Sequence, residues 1–129
     1  MRNELLVLGS RLWTRALVRE VRLLCADVPL VFARTVIPAA TLSGRRRRLG
    51  RLGSRPLGAV LFADHSMRRG ALELACIRPG QRLFDGATRG LAEPPDRIWG
   101  RRSLFFLDHQ PLLVQEIFLP GVYRQDPAR

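Results

Sequence analysis

The segment Pro111–Pro120, PLLVQEIFLP, decides how the chain is read. Taken as a strand, it puts Leu112, Val114, Glu116 and Phe118 on one face and Leu113, Gln115, Ile117 and Leu119 on the other, because strand side chains alternate. Neither face is cleanly polar. Glu116 is a carboxylate among apolar neighbours, and desolvating a lone carboxylate costs several kcal/mol, so it needs a partner or solvent. Just upstream, RIWGRRSLFFL (residues 97–107) reads as another strand, separated from the first only by Asp108–Gln110. So short a connection pairs the two as antiparallel neighbours.

Earlier segments extend this pattern. VREVRLLC (residues 18–25) sets Arg19, Val21, Leu23 and Cys25 against Val18, Glu20, Arg22 and Leu24, a strand whose mostly apolar face has Arg19 as its odd member. LVFARTVIP (residues 30–38) is β-branched and aromatic and ends at Pro38, which predicts a hairpin over residues 17–38. Leu49, Leu52, Leu57, Val60 and Leu61 recur at helical spacing, with Pro56 suited to a first helical turn. RRGALELACIR (residues 68–78) is a third strand. The Gly- and Pro-dense stretch 79–95 is expected to be a surface loop, and the tail 121–129 to fray. Strands, a helical segment and further strands predict an α+β fold: a largely antiparallel sheet with flanking helices on one side, in a single domain over residues 1–129.

The chain has 129 residues and is 47% hydrophobic, enough for one core. No apolar run approaches the roughly 20 residues of a membrane-spanning helix. MRNELLVLGSRLW lacks the pattern of a secretory signal, so the expectation is a monomeric cytoplasmic protein with no membrane association. Its net charge of +11 invites a nucleic-acid reading. Yet every basic residue is arginine, and the Arg45–Arg48 run has no aromatic stacking platform beside it, so a solvated loop or helix start accounts for it. Cys25 and Cys76 read as two buried thiols. His65 and His109 fall in loops without companions at ligand spacing, so no metal is expected. Ser43 and Ser103 lack a nucleophile-elbow context, and the glycines match no nucleotide loop.

Arg19 and Glu116 remain, each a charge on the mostly apolar face of a strand. One reading is a structural ion pair. The other is a pocket in which Arg19 holds a carboxylate through its planar fork and Glu116 accepts a hydrogen bond from a hydroxyl. Spacing does not choose between them.

Five blocks in order carry a resemblance: VREVRLLC, ARTVIP with TLSG, LGSRPLGAVLF, IWGRRSLF and PLLVQEIFLP. Over about residues 17–120 the chain resembles the chorismate pyruvate-lyase (4-hydroxybenzoate synthase) family. That resemblance implies a cofactor-free lyase that converts chorismate to pyruvate and 4-hydroxybenzoate, the first committed step toward the ubiquinone ring. It also implies an antiparallel sheet with an internal ligand pocket. By the same resemblance Arg19 clamps a carboxylate, Leu57 packs on the ring and Glu116 binds the ring oxygen at the far end. Arg101 and Arg102, in WGRRS, are open to two readings: further positive potential for the site, with alternation placing only one of them on a given face, or a structural role, which is the one expected, with Trp99 and Gly100 setting the strand's packing.

The family usually has several dozen more residues before the first matched strand, and they supply a methionine contact. Here Met1 is the only methionine in that stretch, so the contact has no assigned counterpart. A truncated, inactive lyase is therefore one alternative. Another is a non-catalytic aromatic-acid-binding domain like the effector-sensing domains of bacterial regulators, although those follow a winged-helix domain for which this chain has no room.

Overall fold

The computed structural model describes residues 15–123. The proposed signal-free start and the missing methionine contact, like most of the expected frayed tail, lie outside those residues. Five strands form one antiparallel sheet in the order β1-β2-β5-β4-β3, with β1 at Ala16–Cys25, β2 at Val28–Pro38, β3 at Arg68–Ile77, β4 at Ile98–Leu107 and β5 at Gln110–Phe118. Three short helices accompany it: α1 (Leu57–Ala63), α2 (Arg82–Thr88) and α3 (Pro120–Tyr123). Ala39–Thr41 and Gly44–Arg51 are 3-10 segments.

Two tight turns set the strand register. Ala26 and Asp27 have φ of 49° and 65°, and Asp108 and His109 have 49° and 66°. Positive φ at both central residues is the type I′ geometry, whose twist matches that of the flanking strands. The second turn is thus two residues long, and β5 begins at Gln110, one residue earlier than the sequence suggested.

Apolar residues cover both sides of the sheet. On one face Ile37, Phe105, Leu107 and Leu112 pack under Leu49 of the Gly44–Arg51 3-10 helix, Leu52 just beyond its end, and Leu57 and Leu61 of α1. On the other face Phe32, Ile77, Ile98 and Ile117 pack under Phe84 and Ala87 of α2. Leu112 and Ile117 are both fully buried, and truncating either to alanine should cost roughly 2–5 kcal/mol.

Helix α2 corrects two expectations, the surface loop over 79–95 and the placement of all helices on one side. Phe84, Ala87, Thr88 and Leu91 recur at helical spacing inside the Gly-rich stretch, and the sheet's second apolar face requires a cover. Arg22 of β1 donates through Nη2 to the Gly86, Ala87 and Arg89 carbonyls at the helix's C-terminal end, where backbone acceptors lack intrahelical donors. Gly100 lets β4 approach its neighbours: a Cβ there would stand 2.6 Å from Ile117 Cδ1 and 3.1 Å from the Glu116 carbonyl. Trp99, by contrast, is exposed.

Candidate active site

Cross-strand register sorts the polar residues by face. Val21, Ala33, Glu116, Arg101 and Leu74 form one row across all five strands, and Arg19, Thr35, Val114, Ser103 and Leu72 form the next row on the same face. Arg19 and Glu116 therefore share a face. Two strand spacings and one two-residue step separate them, which puts their Cα atoms roughly 12 Å apart. Leu57 lies over the same face, packed in the cluster that Val114 borders.

Arg19 reaches toward the loop that leads into α1. Its Nη2 donates to the Gly53 carbonyl at 3.2 Å and to the Arg55 carbonyl at 3.1 Å, so the guanidinium fixes the segment that delivers Leu57. Glu116 has a different partner. Arg101 Nε donates to its Oε1 at 3.0 Å, and the Arg101 guanidinium also lies 5.8 Å from the Phe118 ring centroid. The side chains of Arg101 and Glu116 are 46% and 29% exposed, which marks this part of the face as open among the described residues. Of the three residues expected at the site, the structure joins Arg19 to the Leu57 loop and pairs Glu116 with Arg101. An Arg19–Glu116 ion pair is not what holds either charge.

Arg102, next in sequence, belongs to the other face. It is 1% exposed and donates through Nε and Nη2 to Glu73 Oε2 at 3.2 and 2.9 Å. Its row is Glu20, Arg34, Gln115, Arg102 and Glu73, with Arg34 Nη1 3.2 Å from Glu20 Oε1. Strand alternation thus turns the RR dipeptide into one exposed charge and one buried one.

The Arg45–Arg48 run serves to attach the 3-10 helix. Arg45 donates to both oxygens of Asp64 and both of Asp108; Arg46 Nη1 donates to Asp108 Oδ2 at 3.0 Å, and Arg48 Nη2 to Asp64 Oδ2 at 2.7 Å. Ser66 donates to Asp64 Oδ1 through its backbone N–H and its hydroxyl, and its Oγ accepts from the Asp108 N–H. The hydrogen bonds from Arg45 hold both carboxyls below the usual carboxylate range, helped by Ser66 at Asp64 and by Arg46 at Asp108. The same contacts raise the Arg45 guanidinium above its ordinary value. In the TLSG block, the Thr41 hydroxyl donates to the Pro111 carbonyl at 2.7 Å, tying the block to the start of β5.

His65 and His109 are exposed at turn positions, and no group of three or more metal-ligating side chains occurs among the described residues. The two cysteines correct the sequence reading: Cys25 is exposed and Cys76 partly so, because β1 and β3 are the sheet's edge strands. A groove of about 400 Å³ lined by Arg48, Arg55, Pro56, Ala59, Val60 and Ala63 contains none of Arg19, Leu57 or Glu116.

A family model described as chorismate lyase matches residues 2–127. A curated protein of Nitrosomonas europaea named "Probable chorismate pyruvate-lyase" is 44% identical over 122 residues, covering 95% of this chain and 68% of that protein. The chain belongs to the chorismate lyase family. A Methylococcus capsulatus protein of the same name is 47% identical over 120 residues, covering 93% of this chain and 73% of its own length. The crystal structure of the C-terminal domain of Yurk from Bacillus subtilis matches with a TM-score of 0.62 at 12% identity, covering 91% of this chain and 80% of that one. It shares the fold: an antiparallel sheet with flanking helices, as in the chorismate lyase family. No helix among the described residues is long and apolar enough to cross a membrane.

Proposed function

We propose that this chain converts chorismate to 4-hydroxybenzoate and pyruvate, using the sheet face that carries Arg19 and Glu116 with Leu57 of α1 above it. The observation that supports this most directly is their placement: two opposite charges in adjacent rows of one face, their Cα atoms roughly 12 Å apart, with an apolar residue of the covering helix over the same face. Relatives named for this activity support the reaction.

The reaction needs little from the protein beyond position and charge. The ring–oxygen bond of the enolpyruvyl ether breaks with its electron pair going to oxygen. The neighbouring hydroxyl-bearing ring carbon gives up its hydrogen as a proton, and the enolpyruvate takes up a proton as it becomes pyruvate. The ring becomes aromatic, which drives the step. In this reading Arg19 takes the ring carboxylate through Nη1, which has no hydrogen bond among the described residues, while Nη2 stays on the Gly53 and Arg55 carbonyls and holds the guanidinium in place. Glu116 accepts the hydrogen bond of the ring hydroxyl and so sets the ring's direction, and Leu57 packs on the ring. No step calls for a metal or an electron sink.

The substrate class is a small dianion. Three of the four arginines of the 45–48 run are committed to Asp64 and Asp108, which favours this class over nucleic acid. We place the enzyme in the cytoplasm as a single-domain monomer. The test is incubation with chorismate while 4-hydroxybenzoate is followed by absorbance or chromatography. Product must exceed the spontaneous background; well-folded protein that yields none rejects the reading.

A further inference from the structure

We propose that Arg101 is a substrate-binding residue that receives the enolpyruvyl carboxylate of chorismate, and so separates substrate from product. The inference rests on the lyase reading above and adds a contact that the three expected residues do not provide.

Charge calls for a further cation. Arg19 and Glu116 sum to zero, whereas chorismate brings two carboxylates. A site made of those two leaves the second carboxylate facing Glu116 with nothing to offset it. Arg101 is the cation on the same face in Glu116's own row, one strand further from Arg19. With it the local sum becomes +1, and the second carboxylate meets a guanidinium rather than a carboxylate.

Arg101 also has bonding capacity to spare. Arg101 uses only Nε on Glu116; its two Nη groups have no hydrogen bond among the described residues, and the side chain is 46% exposed. Among the described residues Glu116 is held by Oε1 alone, which leaves Oε2 to accept from a ligand. One contact therefore orients both side chains and leaves each with a free edge toward the open face. Arg102 offers nothing comparable, being buried on the opposite side with Glu73.

The shape of chorismate suits the same position. The carboxylate and hydroxyl lie at opposite ends of the chorismate ring, matching the Arg19-to-Glu116 direction. The enolpyruvyl arm leaves the ring carbon next to the hydroxyl and projects sideways. Arg101 lies sideways of Glu116 by one strand spacing, about 5 Å. The Phe118 ring beside the guanidinium limits where the fork can swing. 4-Hydroxybenzoate lacks the arm, so it has no group for Arg101.

The experiment compares two ligands across four proteins: wild type, Arg101→Gln, Arg101→Lys and Arg19→Gln. Steady-state kinetics are measured with chorismate, and binding of 4-hydroxybenzoate by calorimetry, with thermal melts as the check on folding. Arg101→Gln should raise KM for chorismate at least tenfold while the Kd for 4-hydroxybenzoate stays within twofold. Arg101→Lys should recover much of the loss, and Arg19→Gln should weaken both ligands. If Arg101→Gln weakens both ligands equally, Arg101 acts only by holding Glu116 and the proposal fails; it fails also if neither changes. Wild-type protein that is folded but turns over no chorismate overturns the lyase reading and this inference with it, an outcome distinct from the other two.

Discussion

Arg101 Nε lies 3.0 Å from Glu116 Oε1 across β4 and β5, and this pairing exists because the turn joining those strands is two residues long. Leu107 pairs with Gln110, so Arg101 falls opposite Glu116 and Arg102 opposite Gln115. A three-residue turn over Asp108–Gln110 would shift the register by one and put Arg102 opposite Glu116. Such a slip moves every side chain of a strand to the other face.

That turn is itself improvable. His109 adopts φ of 66°, a conformation that a non-glycine residue takes only with strain. His109→Gly should stabilise the protein by about 0.5–1 kcal/mol, since Asp-Gly is a preferred type I′ pair. A rise of roughly 2–4 °C in the thermal midpoint is the expected reading; a fall would mean the turn is held by contacts of the imidazole.

Adjacent arginines should behave oppositely. Arg101→Gln removes a half-exposed ion pair, worth about 0–1 kcal/mol. Arg102→Gln disrupts a guanidinium that is 1% exposed and bonded to Glu73, which should cost about 3 kcal/mol. Urea denaturation of the two variants measures the contrast directly, and equal midpoints would contradict the assignment of faces.

Asp64 has a fully buried side chain between Arg45, Arg48 and Ser66, so Asp64→Asn should loosen the 3-10 helix from the sheet. The arginines are nearly half exposed, and solvent screening limits the loss to about 1–2 kcal/mol. The expected result is a lower urea midpoint with chorismate KM little changed. Amide exchange should rise over residues 44–51.

The same cluster predicts a pH dependence with a definite sign. Asp64 and Asp108 have carboxyls held below their unfolded value, so their contribution is fully present above about pH 4 and is lost as pH falls further toward the folded value. Between pH 5 and 9 they should make no difference. Thermal midpoints measured from pH 7 to pH 3 should fall more steeply for wild type than for Asp64→Asn.

Arg19→Ala should abolish most chorismate and 4-hydroxybenzoate affinity, because it removes the guanidinium assigned to the ring carboxylate. Arg46→Ala should lower stability through Asp108 and leave both affinities nearly unchanged. Calorimetry with each ligand decides, and equal losses of affinity would undo the site assignment.

Alternation along PLLVQEIFLP was sufficient to place Glu116 beside Val114 and apart from Gln115 and Ile117, since a strand's period is a local property of the backbone. The hairpin over β1 and β2, the third strand and the helical leucines after Gly44 were legible for the same reason: each is set by spacing within a few residues. Partner choice was not, because it depends on register and on which element covers which face. One residue of turn length selected Arg101 rather than Arg102 for Glu116. The need to cover Phe32, Ile98 and Ile117 recruited RLFDGAT as a helix despite its glycine. Asp64 and Asp108, far apart in sequence, took up the arginine run that composition alone had left as a bare positive charge. Those three outcomes are long-range contacts, and only the folded chain brings their partners within reach.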